Sequence, residues 1–114
     1  SAAFKQDVND MGDTSALLGK LRPVTFRYKP EVADGDQTLQ YGLIAEEVEQ
    51  VAPDLVVPDL EGRPHSVKYH VLPALLLNQA QRDHRKIETL EKRIGELERE
   101  LAARAPRRNV ERGR

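Results

Sequence analysis

The chain has 114 residues, of which 32% are charged, but 18 Lys and Arg against 19 Asp and Glu leave a formal net charge of −1, so it has no basic field to draw it to nucleic acid. That is the length of one ordinary domain, and part of it is too polar to add to a core, so the chain is expected to need help to be stable. There is no cysteine, which excludes disulfides and thiolate chemistry. The longest apolar run, "VLPALLL", falls far short of the ~20 residues of a spanning helix and no signal-peptide pattern is present, so a soluble protein is expected.

The chain opens "SAAFKQDV", with a hydroxyl at Ser1 and an amine at Lys5. Alone, the pair reads as solvated surface residues ahead of a nucleophile with its base, since a serine and a lysine lie this close by chance in most soluble proteins. In "MGDTSALLGKL", Asp13, Thr14 and Ser15 are candidate N-caps ahead of Leu17, Leu18 and Leu21, predicting a short helix ending near Gly19. Val24, Phe26 and Tyr28 then alternate with Thr25 and Arg27 at the two-residue period of a half-buried strand that Pro30 stops. After the turn residues of "EVADGDQT", "LQYGLIA" predicts a second strand. "AEEVEQVAP" predicts a short helix with Ile44, Val48 and Val51 on one face and Pro53 beyond its end. "DLVVPDLEGRPHSVKYHV" has the form of a hairpin, Val56 and Val57 on one arm and Ser66 to Tyr69 on the other.

From about Val71 the only breaker before Pro106 is Pro73, which suits the first turn of a helix, so one long helix is predicted over 71–104. Its second half places Ile87, Leu90, Ile94, Leu97 and Leu101 at alternating spacings of three and four. With Ile87 and Ile94 at heptad position a and Leu90 and Leu97 at d, Lys86 and Arg93 fall at g and Glu91 and Glu98 at the following e. That arrangement forms ion pairs between neighbouring parallel helices. Ile at a with Leu at d favours two strands by the local rule. The tail "APRRNVERGR", 105–114, is basic and lacks apolar period, so it is predicted to be disordered.

Few residues are arranged for chemistry. His65, His70 and His84 are scattered with no carboxylate or cysteine at metal-ligand spacing, so no metal site is expected. Glu46 and Glu47 sit where a helix begins, where carboxylates favour the positive end of the helix dipole, which explains them better than acid–base catalysis. Phosphate loops, nucleophile elbows and aromatic stripes for bases are missing, and no cofactor is expected. Ser1 and Lys5 are left as the one conceivable catalytic constellation.

Taken in order, "FKQDV", "LLGKLRPVTFRYK", "YGLIAEEVEQVAPDLV" and "HSVKYHVLPALLLNQAQ", closed by the heptads, resemble the peptidase S74 family over roughly residues 3 to 104. These are the intramolecular chaperone domains of phage tailspikes, tail fibres and endosialidases. The most specific element is "GLIAEEVEQVAPDLV" at fixed distance from the "VKY" strand and the long helix. The resemblance implies an α+β fold: a small head, 1–70, of short antiparallel strands and short helices, followed by a long helix, 71–104, forming a trimeric coiled coil on the seam Ile87, Leu90, Ile94, Leu97 and Leu101. It overrides the local preference for two strands.

The same resemblance implies a carboxyl-terminal domain that trimerises and assists the folding of an upstream fibre in its own precursor. Such a domain then cuts itself off just before a serine, with a lysine a few residues on as base. Its partners would be its own copies and the upstream part of the chain, with no nucleic acid and no membrane, and its setting the cytoplasm of a host cell during virion assembly. Carried over, the catalytic residues are Ser1 and Lys5. The family's usual start is Ser-Asp with the lysine five residues after the serine, whereas here Ala2 follows Ser1 and Lys5 is four away. Either Ser1 is the nucleophile of a shortened motif, or it stands in place of a removed Ser-Asp start. A non-catalytic trimerisation or tethering module is the competing reading.

Overall fold

The computed structural model describes residues 1–106, so positions 107–114 of the predicted basic tail lie outside the described residues. The chain divides into two compact units, Ser1–Gln79 and the segment from Ala80 on.

The first unit opens with a single 3-10 turn, Ala2–Phe4, and an irregular stretch to Thr14. Helix α1, Ser15–Lys20, starts where Asp13 Oδ1 accepts the Ser15 N–H at 2.9 Å, so of the three N-cap candidates it is the aspartate whose side chain satisfies an orphan donor. The helix passes through Gly19 to Lys20, and Leu21 is already extended. Arg22 precedes Pro23, and a residue before proline is driven from the helical region, so α1 cannot continue.

Strands β1, Val24–Phe26, and β2, Gln40–Gly42, pair antiparallel with Thr25 opposite Tyr41. The predicted alternation reached Tyr28, but the ladder ends at Phe26. Beyond it, Arg27 Nε donates to the Gln37 carbonyl at 3.0 Å and the Tyr28 ring packs edge-on against Phe26 with centroids 5.1 Å apart. Side chains take over where the backbone ladder stops.

Helix α2, Ala45–Val51, follows β2 almost at once. Its apolar side turns inward: Val48 is only 2% exposed, and Ala45 and Ala52 are buried beside it. Pro53 begins the 3-10 turn Pro53–Leu55, which leads into β3, Val56–Pro58, paired antiparallel with β4, Pro64–Val67. Val56 faces Val67 across the ladder, and both complete the core of Ala45 and Val48 with Leu21, Leu43 and Leu55 packed around it.

The turn of this hairpin is built by Asp59. Its Oδ1 accepts the N–H groups of Glu61 and Arg63 at 2.9 Å each, and its own N–H donates to the Arg63 carbonyl at 2.8 Å. Gly62 at φ 82° takes the left-handed position that such a turn requires. The second arm lies two residues earlier than predicted, at Pro64–Val67 rather than Ser66 to Tyr69. Lys68 still donates its N–H to the Leu55 carbonyl at 2.8 Å, in register with Val56 and Val67, and beyond it Tyr69 enters the 3-10 turn Tyr69–Val71.

Helix α3 runs Leu72–Arg104, 33 residues, with Pro73 in its first turn where a missing N–H costs nothing. Among the described residues the structure thus has short helices, two two-stranded antiparallel sheets and a long carboxyl-terminal helix. Among the described residues no helix is long and apolar enough to cross a membrane.

Candidate functional site

Ser1 and Lys5 bracket the first 3-10 turn and both are exposed. Ser1 accepts twice within the turn: its Oγ from the Ala3 N–H and its carbonyl from the Phe4 N–H, each at 3.2 Å. Lys5 closes the turn by donating its N–H to the Ala2 carbonyl at 3.2 Å, with extended backbone at φ −121° and ψ 147°. The turn therefore sets serine and lysine at its two ends, with the hydroxyl oxygen engaged by a backbone donor rather than by the amine. A lysine amine works as a general base where burial disfavours its charged form. In the single chain Lys5 has no such cover.

Downstream of this turn, the residues around the start of α1 are fastened to the rest of the unit through Asn78 and Gln79. Asn78 Nδ2 donates to the Gly12 carbonyl at 2.8 Å and lies 3.1 Å from Thr14 Oγ1, while Ser15 Oγ donates to Gln79 Oε1 at 3.0 Å. Amide side chains in a helix carry no visible periodic signal, so sequence reasoning passed over them.

The motif "YGLIAEEVEQVAP" acquires a physical account. A Cβ on Gly42 would lie 2.7 Å from the Tyr69 hydroxyl, so only glycine lets that tyrosine reach the end of β2. There the hydroxyl accepts the Leu43 N–H at 3.1 Å, which ties the chain ahead of α3 to the junction of β2 and α2. Glu47, read as a carboxylate at a helix start, also pairs with Arg22. Arg22 Nε reaches Oε1 at 2.9 Å and its second nitrogen reaches Oε2 at 2.6 Å, a two-pronged bond that holds the entry to β1 against α2. That bond holds the Glu47 carboxyl below its ordinary range, against a smaller opposing effect of burial.

Between α1, the β1–β2 sheet and the start of α3 lies an open apolar groove of about 690 Å³, lined among others by Leu18, Leu21, Val24, Tyr41, Leu72 and Leu76. The second unit offers a different apolar surface. Ile87, Leu90, Ile94, Leu97 and Leu101 are 45–71% exposed in the single chain. Around them Arg93 bonds Glu96 at 3.1 Å and His84 lies 3.5 Å from Glu88. The histidines are dispersed, His65 in β4, His70 in the turn before α3 and His84 within it. Among the described residues no group of three or more His, Asp or Glu is placed to hold a metal ion.

With this geometry in view, the family model Peptidase_S74, described as chaperone of endosialidase, matches residues 1–57. The chain belongs to the peptidase S74 family. The matched half of this S74 chain holds the Ser1–Lys5 turn, α1, the β1–β2 sheet, α2 and the first residues of β3. The second arm of the hairpin and α3 lie beyond it. Membership supports a chaperone role, in keeping with a partner in the precursor chain itself. No curated protein matches the chain.

Proposed function

We propose that this chain is a carboxyl-terminal intramolecular chaperone that trimerises, helps an upstream trimeric fibre or tailspike to fold, and releases itself by serine–lysine autoproteolysis. The observation that carries the reading is the family match over a segment that begins at the Ser1–Lys5 turn. The bare apolar stripe of α3 supports it independently. Five large aliphatic side chains at heptad spacing stand exposed in one copy, and identical copies would cover them. The cytoplasm of a host cell during virion assembly is the setting we assign.

A serine that follows the bond it attacks has a defined course. Its Oγ adds to the carbonyl carbon of the preceding residue as the lysine amine takes the hydroxyl proton. The carbon–nitrogen bond then breaks, the nitrogen leaves as the serine α-amine with a proton, and the upstream carboxyl is held as an ester on Oγ. Water hydrolyses that ester, freeing the upstream chain and restoring the hydroxyl. In this scheme assembly supplies what the single chain lacks, because neighbouring subunits would desolvate an amine that is exposed in one copy.

The test uses a precursor with native residues upstream. Cleavage is expected just before the motif serine, abolished by Ser→Ala and by Lys5→Ala but kept in Lys20→Ala, with product masses as readout. Full cleavage in Lys5→Ala would remove Lys5 from the mechanism. A native precursor that assembles and never cleaves would leave the chain a non-catalytic trimerisation or tethering module.

A further inference from the structure

We infer that the apolar groove at the start of α3 is a docking site for a second copy of this chain, filled by that copy's Leu77. This rests on the trimeric assembly proposed above, with its helices parallel, and adds a contact that the heptad stripe does not contain.

Counted back in sevens from Ile87, position a falls on Ala80 and Pro73, and position d on Asp83 and Leu76. The apolar pattern is therefore interrupted at Ala80 and Asp83 and resumes with Leu72 at g, Leu76 at d and Leu77 at e. In parallel helices in register, the g residue of one faces the e residue five positions later in its neighbour. Two such pairs are Lys86 with Glu91 and Arg93 with Glu98, each of opposite charge. An antiparallel arrangement would set g against g and e against e, placing Lys86 near Arg93 and Glu91 near Glu98, which like charge disfavours. The same rule pairs Leu72 with Leu77 of the neighbour, and there both partners are apolar.

The geometry of the first unit meets that register. Leu72 and Leu76 line the groove with Leu18, Leu21 and Tyr41. Leu77 is 60% exposed and lies outside that lining, so its own chain gives it no place in the groove. A neighbour's Leu77 brought opposite Leu72 arrives at an apolar hollow large enough for several side chains. The core of the unit explains why it would be worth filling. The residues buried there are Ala45, Val48, Ala52, Val56 and Val67, all small, so the larger leucines around the groove are left partly in water.

Disulfide mapping tests the contact cleanly because the 114-residue chain has no cysteine. In one helix, residues five apart have Cα atoms about 8–9 Å from each other, beyond disulfide reach, so a bond between positions 72 and 77 must join two chains. In the full chain, Leu72→Cys with Leu77→Cys should, on oxidation, give covalently linked species on a non-reducing gel, closing to a trimer when three copies form a ring. Lys86→Cys with Glu91→Cys reports the register of the stripe by itself. A link at 86/91 without one at 72/77 would overturn the groove contact while the parallel assembly stands. The absence of both links, with a monomer mass in sedimentation, would sink the assembly and the contact together. Leu77→Asp, at an exposed position that single-chain folding does not use, gives a second measure. It should weaken association roughly tenfold or more while leaving the circular dichroism of the unassembled chain unchanged, and undiminished association would refute the contact.

Discussion

Gly42 and Tyr69 show how one missing side chain decides a local structure. With 2.7 Å between a Cβ on Gly42 and the Tyr69 hydroxyl, Gly42→Ala should destabilise the fold by about 1–3 kcal/mol through overpacking. Tyr69→Phe loses the hydrogen bond to Leu43 and should cost about 1 kcal/mol. The double variant should be less destabilised than the sum of the two, since removing the hydroxyl makes room for the methyl. Strict additivity in chemical denaturation would show that the contact is not what requires the glycine. The Arg22–Glu47 pair makes a prediction in pH. Because hydrogen bonding to Arg22 lowers the folded-state pKa of Glu47 below its unfolded value, the stabilisation is fully present above the ordinary carboxylate range, about 4.3, and is lost as pH falls through the lower folded value. Asp59, held low chiefly by the Arg63 N–H, and Asp36, held low chiefly by the Thr38 hydroxyl, have the same sign. Denaturation midpoints of Glu47→Gln should therefore fall less on acidification than those of the parent chain. The exposed pair itself should be sensitive to salt.

Among the elements, the β3–β4 hairpin and α3 make opposite demands. The hairpin is specified by its turn, where the Asp59 carboxylate and the positive φ of Gly62 close the chain on itself. Gly62→Ala would add no clash, as open space surrounds that position, but the left-handed backbone should cost about 1–2 kcal/mol. Thermal unfolding unchanged by that substitution would mean that the turn tolerates another conformation. Helix α3 needs no single residue of this kind. Its start is fixed by the 3-10 turn and Pro73, and its apolar stripe was visible from spacing, whereas the amide contacts of Asn78 and Gln79 became visible only in space.

At the scale of the whole molecule, the expected association is a parallel homotrimer at micromolar concentration, checked by sedimentation equilibrium. Leu90→Asp or Leu97→Asp should lower the assembled fraction and, in a precursor, block cleavage with it. Cleavage persisting in a monomeric variant would separate release from assembly. Each head is small, with its most buried residues limited to alanine and valine, so a chain ending near Asn78 should be measurably less stable than the full chain. Equal stability would show that α3 and its partners contribute nothing.

Sequence alone determined the order of the elements and the family. Turn residues, alternation and heptads are local patterns, and each is written in residues a few positions apart. It also left Ser1 and Lys5 as the pair to test, because little else in the chain could do chemistry. It overran β1 to Tyr28 and the second hairpin arm to Tyr69, since alternation continues in sequence after the partner strand has ended in space. Only the tertiary structure decided that Tyr69 turns away to the Leu43 amide, that Glu47 is claimed by Arg22, and that Asn78 and Gln79 hold the residues around α1's start. It alone revealed a groove made by apolar side chains from α1, the β1–β2 sheet and α3. These contacts join residues 25 to 66 positions apart, and such pairings follow from how packed elements meet rather than from any period within one of them.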